Sequence, residues 1–313
     1  MERKAVKENG MERMPRLKKG DRVALVATAR RVTREEMLPA LSLLSAWGLE
    51  VVEPEGLYAE DHQLAGSDSV RAAAMQHAID DPDIKAIFCA RGGYGTVRMV
   101  DAVDYRGLAE HPKWVVGYSD ATVLHSHIHR VVGLPTLHAT MPINFPDRAD
   151  EQAESIFSMR EWLFEGRCRL DFATGAGSRK GNAEGMVVGG NLSVLYSLCG
   201  SPSALDTRGK ILLIEDLDEY LYHIDRMMMN LKRNGMLDGL AGLLVGSFSD
   251  MHDNAVPFGH TAEEIVMDAV AEYAYPVAIG VPVGHIGTAN RALPLGVRMR
   301  LSVSDERSTL YMP

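Results

Sequence analysis

Short apolar runs alternate with amphipathic stretches along the first half of this chain, the pattern of strands followed in turn by helices. Asp21–Ala27 (DRVALVA) predicts a strand, and Arg34–Trp47 an amphipathic helix stopped by Gly48. Leu49–Glu53 predicts a second strand, and Val70–Asp80 a helix with Ser67, Asp68 or Ser69 as its cap. A third strand, Ile84–Ala90, runs into the glycine loop Arg91-Gly92-Gly93-Tyr94-Gly95 and another helix. Trp114–Val116 and Leu134–His138 continue the strands, and a helix near Glu151–Phe164 closes this half. Such alternation predicts a parallel sheet covered on both faces, with ligands at the carboxyl ends of its strands.

Cys168–Asn182 is polar and Gly-rich, the best candidate linker, and the pattern changes after it. Strands are expected at Ala183–Gly190, Lys210–Glu215, Leu240–Ser247 and Val277–Gly280. Helices are expected at Leu192–Leu198, Arg226–Asn234 and Ala262–Tyr273, and hairpin strands over Leu293–Tyr311. The reading divides the chain into a loose extension (1–18), a first domain (19–166), a linker (167–182) and a second domain (183–313). Within the extension, Met11 and Met14 are alternative starts.

The most informative segment is Trp114–Gly133, WVVGYSDATVLHSHIHRVVG. A buried strand, a sharp turn at Gly117-Tyr118-Ser119-Asp120 and a helix would hold the Ser119 hydroxyl at the amino end of that helix. Free N–H groups and the helix dipole favour negative charge there, as a serine nucleophile requires. The alternative is that Ser119 or Asp120 merely caps the helix.

Composition narrows the classes. A net charge of -9 over 313 residues argues against a nucleic-acid partner. No apolar run reaches the length of a membrane span, and the first residues lack the apolar middle of a secretory signal. Cys89, Cys168 and Cys199 form no CxxC pair, and a cytoplasmic location is the expectation.

Two further groups stand at element ends. Glu215 ends the apolar run Lys210–Glu215, and His285 follows Val281-Pro-Val-Gly284 among glycines. A hydroxyl, an imidazole and a carboxylate suffice for acyl transfer, in any chain order. Each also has a plain structural reading, Glu215 as a solvated strand-end carboxylate and His285 as a turn histidine. The loop at Gly92 and Gly93 lacks the phosphate-binding patterns, so its other use is to bring backbone N–H groups to Ser119. Arg91 is a candidate for a substrate carboxylate or for an ion pair. His125, His129 and His138 raise a metal alternative, weakened by the absence of HExxH. A solute-binding protein, a cysteine glutaminase and a dinucleotide enzyme fit less well, lacking in turn an export signal, a cysteine at the turn and a glycine fingerprint after the first strand.

Five blocks in order resemble the LD-carboxypeptidase family of serine peptidases, which includes the microcin C self-immunity proteins. They are Phe88–Asp101, Val115–His125, Gly189–Pro202, Ile211–Leu231 and Val281–Gly296, and the resemblance runs from about Leu17 to the end. It implies a flavodoxin-like N-terminal domain, a smaller mixed α/β C-terminal domain and a site in the cleft between them. It maps the nucleophile onto Ser119, the carboxylate onto Glu215 and the imidazole onto His285. The oxyanion would be held by the N–H of Asp120 and one from Gly92 or Gly93. Asn191, in the third block, joins Arg91 as a candidate for substrate binding. The resemblance further implies a cytoplasmic homodimer, needing no metal or organic cofactor, that removes D-alanine from murein tetrapeptides. Immunity-type members instead cleave an amide to a nucleotide-like group, which calls for aromatic stacking in the cleft. Trp47, Trp114 and Trp162 all fall in the first domain, which favours the murein substrate.

Overall fold

The computed structural model describes residues 10–145 and 154–313. Its first half contains β1 (Arg22–Val26), α1 (Arg34–Ala46), β2 (Glu50–Val52), α2 (Asp68–Asp80), β3 (Ile84–Cys89) and α3 (Thr96–Met99). α4 (Arg106–Glu110), β4 (Trp114–Gly117), α5 (Thr122–Val131) and β5 (Thr136–His138) follow. The five strands are parallel in the order β2-β1-β3-β4-β5. That is the flavodoxin-like order, whose winding reverses between β1 and β3 and opens a crevice there. Local signals set the helix starts. Thr33 and Glu36 form a reciprocal capping box on α1, and of the three candidate caps for α2 it is Ser67 that accepts the Val70 N–H.

The second half contains α6 (Glu154–Arg160, continued by a π-turn to Glu165), β6 (Arg169–Ala173), β7 (Gly181–Asn191), α7 (Leu192–Leu198) and β8 (Ile211–Leu217). Next come α8 (Leu221–Arg233), β9 (Gly242–Ser249), α9 (Ala262–Ala269), β10 (Val277–Ile279), β11 (Leu293–Leu295), β12 (Val297–Val303) and β13 (Arg307–Tyr311). The second sheet is mixed, ordered β10-β9-β8-β7-β12-β13-β6, and its first four strands are parallel. Side chains alternate across it. Val187, Ile211, Leu213 and Leu244 join the core shared with the first domain, whereas Val188, Leu212, Ile214 and Val245 pack in a second core with α7, α8 and α9. Continuing that alternation along β8 turns Glu215 toward the first domain. Among the described residues, no helix is long and apolar enough to cross a membrane.

Four expectations need correction. Cys168–Asn182 is not a plain linker: Leu170 and Phe172 are buried with Asp171 between them, and Arg169–Ala173 pairs with β13. That period of two outweighs the local glycine content. The described part of the expected extension, from Gly10, is packed rather than loose. Met14 and Leu17 are buried, and Pro15 accepts the Trp114 indole N–H at 2.9 Å. The segment Leu293–Tyr311 is not one hairpin, because β11 crosses over to pair antiparallel with β5 in the first sheet. Helix ends also differ: α8 begins five residues before Arg226, and α9 stops at Ala269 rather than Tyr273. The predicted start of the closing helix at Glu151 lies outside the described residues.

Candidate active site

Ser119 sits in the turn between β4 and α5 with φ +58°, the left-handed region that a non-glycine residue rarely adopts. Its neighbours make the turn possible. A Cβ on Gly117 would lie 2.9 Å from the Ala121 Cβ and 3.1 Å from the Cys89 Cβ, so small residues two positions either side of the serine let strand and helix close. This strand-to-helix elbow thrusts the hydroxyl out at the sheet's carboxyl edge. The Asp120 side chain points the other way and is buried, accepting the Thr96 N–H at 2.9 Å. Burial raises its pKa despite that bond. Thr96 in turn donates to Thr28 at 3.0 Å, so the segments after β1, β3 and β4 are tied together at the crevice.

The glycine loop approaches Ser119 closely enough that a Cβ on Gly92 would stand 3.0 Å from the serine Oγ. The N–H groups of Gly92 and Gly93 donate to no acceptor among the described residues. Gly93, at φ +104°, has the stem of Arg30 lying where a side chain would be.

Glu215 and His285 come from the second domain. Glu215 is fully buried and its Oε2 accepts from His285 Nδ1 at 2.6 Å. The glycines around His285 create that contact. A Cβ on Gly284, at φ +117°, would lie 2.7 Å from Glu215 Oε2 and 2.5 Å from Ser247 Oγ. Burial alone would raise the Glu215 pKa; the bond to His285 and the proximity of His138 outweigh it and hold it at about 2. We therefore expect Gly284→Ala to cost at least 10²-fold in kcat by pushing the carboxylate off His285, since misplacement by about 1 Å has effects of that size. A rate within threefold of the unmodified protein would contradict this.

Ser119, Gly92, Gly93, Arg91, Asn191 and His285 all line one cavity of about 490 Å³ between the two sheets. Glu215 lies behind His285, and Asp120 beneath Ser119. Arg91 lines the cavity and also reaches Glu36 at 3.5 Å, the ion pair of its alternative reading. Asn191 is committed elsewhere: its amide donates to Asp216 Oδ1 at 2.8 Å, and its Oδ1 caps α7. Asp216 accepts also from Ser193 and Leu217, yet burial and the adjacent Glu215 charge push its pKa up to about 6. Adjacent carboxyls on opposite faces of β8 are thus driven apart in acidity. The histidines do not converge as a metal set. His125 bonds the Gly117 carbonyl at 2.9 Å, His129 faces Lys210, and among the described residues no group of three His, Cys, Asp or Glu side chains could hold an ion.

Three cavity or near-cavity residues escaped sequence reasoning. Arg30 lines the cavity from the segment after β1, on one side of the winding reversal, a position strand order alone would have flagged. Tyr118 packs on the His285 ring at 4.7 Å between centroids. His138, which the sequence offers only as a metal ligand, lies beside Glu215.

Residues 23–139 match the LD-carboxypeptidase N-terminal domain and residues 184–301 the LD-carboxypeptidase C-terminal domain. A probable murein peptide carboxypeptidase of Bacillus subtilis is 34% identical over 94% of this chain and 92% of its own length. A crystal structure of muramoyltetrapeptide carboxypeptidase from Oxalobacter formigenes superposes with a TM-score of 0.84 at 26% identity, covering 93% of this chain and 99% of that one. A microcin C7 self immunity protein in complex with aspartyl sulfamoyl adenosine also has a TM-score of 0.84, at 21% identity over 96% of this chain and 98% of its own, a likeness of fold.

Proposed function

The chain belongs to the LD-carboxypeptidase family of peptidases, and from that premise we propose that it releases the terminal D-alanine of murein tetrapeptides by serine catalysis. The observation that carries the reading is the 2.6 Å Glu215–His285 pair, opening on the same cavity as a hydroxyl held at φ +58°. With Nδ1 bonded to Glu215, His285 has Nε2 free to take the Ser119 proton. The Ser119 Oγ attacks the carbonyl before D-alanine, and the N–H groups of Asp120 and of Gly92 or Gly93 receive the oxyanion. The C–N bond breaks as His285 returns the proton to the departing amine. Water, deprotonated by His285, then attacks the acyl-enzyme and restores the serine.

The charge on the first-domain side of the cavity supports a peptide with a free carboxyl terminus, while the second-domain side carries the opposite charge at Asp216, Asp218 and Glu219. Arg30 and Arg91 line it on the first-domain side, and Arg30 has no acidic partner among the described residues. None of the three tryptophans lines it, whereas a nucleotide-like group would want a broad stacking surface. In this reading the enzyme is a cytoplasmic homodimer, as the family resemblance implies.

The testing experiment is D-alanine release from a murein tetrapeptide, with and without EDTA, against Ser119→Ala. EDTA-resistant release that the variant loses is the expected result, and release surviving in the variant would overturn the serine mechanism. If Arg30 holds the terminal carboxylate, Arg30→Ala should raise KM roughly 10- to 100-fold, the range of a charge-assisted hydrogen bond. Arg91→Ala, whose guanidinium is shared with Glu36, should raise it less. Tetrapeptide ending in D-alaninamide should show little difference between unmodified protein and Arg30→Ala; an equal KM penalty on both substrates would remove Arg30 from this role.

A further inference from the structure

His138 ends β5 with a fully buried ring, and neither of its nitrogens has a hydrogen-bond partner among the described residues. Glu215 Oε1 is likewise unpartnered, and it lies 3.9 Å from His138 Nε2. Buried polar atoms in native proteins almost always find partners, so two unpaired ones facing each other in one interior point to a relation between them. A movement of about 1 Å brings this pair to hydrogen-bond distance, and bonds at catalytic sites commonly tighten when substrate seats.

The topology gives that contact a purpose. β4 and β5 pair in parallel with Gly117 opposite His138, so one rigid strand pair carries both His138 and, two residues beyond Gly117, Ser119. β11 pins the other side, with Leu293 opposite His138. Glu215 and His285 belong to the second domain. A bond from His138 to Glu215 would therefore fix the base and its carboxylate in distance from the nucleophile across the cleft.

Resting on the mechanism above, we propose that His138 is a positioning residue: with its proton on Nε2 it donates to Glu215 Oε1, holding Oε2 on His285 Nδ1 and setting His285 against Ser119. The groups facing Glu215 are His285, His138, Ser247 from β9 and, from the nucleophile turn, Tyr118, with the charge of Asp216 next in sequence on the other face of β8. Of these His138 is the donor supplied by the nucleophile's own domain that lies within 4 Å of the free carboxylate oxygen.

The test compares His138→Leu, which has no donor, with His138→Gln, which keeps one. The readouts are D-alanine release and the rate at which a fluorophosphonate labels Ser119, the second needing no murein peptide. His138→Leu is expected to slow kcat and labelling by about 10- to 100-fold, with KM within about twofold. The acid limb of the labelling profile should move to higher pH, because all the carboxylate's charge then faces the imidazolium. His138→Gln should recover most of the rate. Labelling of His138→Leu at the unmodified rate, or equal losses in both variants with an unmoved acid limb, would overturn the proposal. Should the leucine variant not fold, a ¹⁵N–¹H spectrum of the unmodified protein decides: a proton on His138 Nε2 supports the bond, and one on Nδ1 alone overturns it. If the unmodified protein labels at Ser119 yet releases no D-alanine, the substrate assignment falls, and the labelling rates still judge His138.

Discussion

Ser119→Ala should lose roughly 10⁵- to 10⁶-fold in D-alanine release while binding tetrapeptide within a few fold of the unmodified protein. Removing a serine nucleophile costs about that much because the imidazole and carboxylate then have nothing to activate. The proposed oxyanion donors at Gly92, Gly93 and Asp120 stay in place, so a small residual rate above solution hydrolysis should persist. A second substitution separates chemistry from folding. Ser119 holds φ +58°, a conformation that costs a side-chain-bearing residue on the order of 1–3 kcal/mol and glycine little. Ser119→Gly should therefore be as inactive as Ser119→Ala yet melt several degrees higher. Calorimetry with an assay checks both. A glycine variant no more stable than the alanine one would mean that the turn is unstrained, and release surviving in either would remove Ser119 from the mechanism.

The site was legible in the sequence to the extent that each residue stands at the end of a regular element. Ser119, Glu215 and Gly92 each follow an apolar run whose strand the pattern gives within two residues, so their shared edge of the sheets could be inferred. Geometry between elements was not legible. The 2.6 Å bond from His285 to Glu215 depends on Gly284 leaving room beneath the ring, and nothing in the spacing of 70 residues encodes it. Asn191 is a ligand candidate by its place in the third block of the resemblance, and its partner, Asp216, comes alongside only after β8 joins the sheet. Likewise Leu170 and Phe172 read as linker until β13 pairs with them, and Leu293–Leu295 read as hairpin until β5 does. Short strands of three to five residues carry too few alternations to announce themselves, and long-range pairing decides them.

That dependence on pairing makes Glu215 the residue whose replacement should be felt in both activity and stability. Glu215→Gln is nearly isosteric, so packing survives, but the amide cannot stabilise the imidazolium and can hold the wrong tautomer of His285. A loss of about 10⁴-fold in kcat is expected, as when the carboxylate of such a triad is neutralised without moving it. The stability effect has a defined sign. The Glu215 pKa falls from an ordinary 4.5 to about 2 on folding, so ionised Glu215 favours the folded state by roughly 3 kcal/mol above pH 4.5. That contribution shrinks as pH drops through the window from 4.5 to about 2, where protons bind the unfolded chain first. Asp216, raised to about 6, acts in the opposite sense, its ionisation disfavouring the fold as pH climbs through that value. Losing the Glu215 charge also relieves part of the rise at Asp216, which offsets some of the gap near pH 6 and leaves its narrowing toward pH 3 to Glu215. The unmodified protein should be the more stable at pH 6, and the gap should narrow steadily toward pH 3. A gap independent of pH would show that the carboxylate's charge is not what the His285 contact stabilises, and would assign Glu215 to packing rather than to orienting the base.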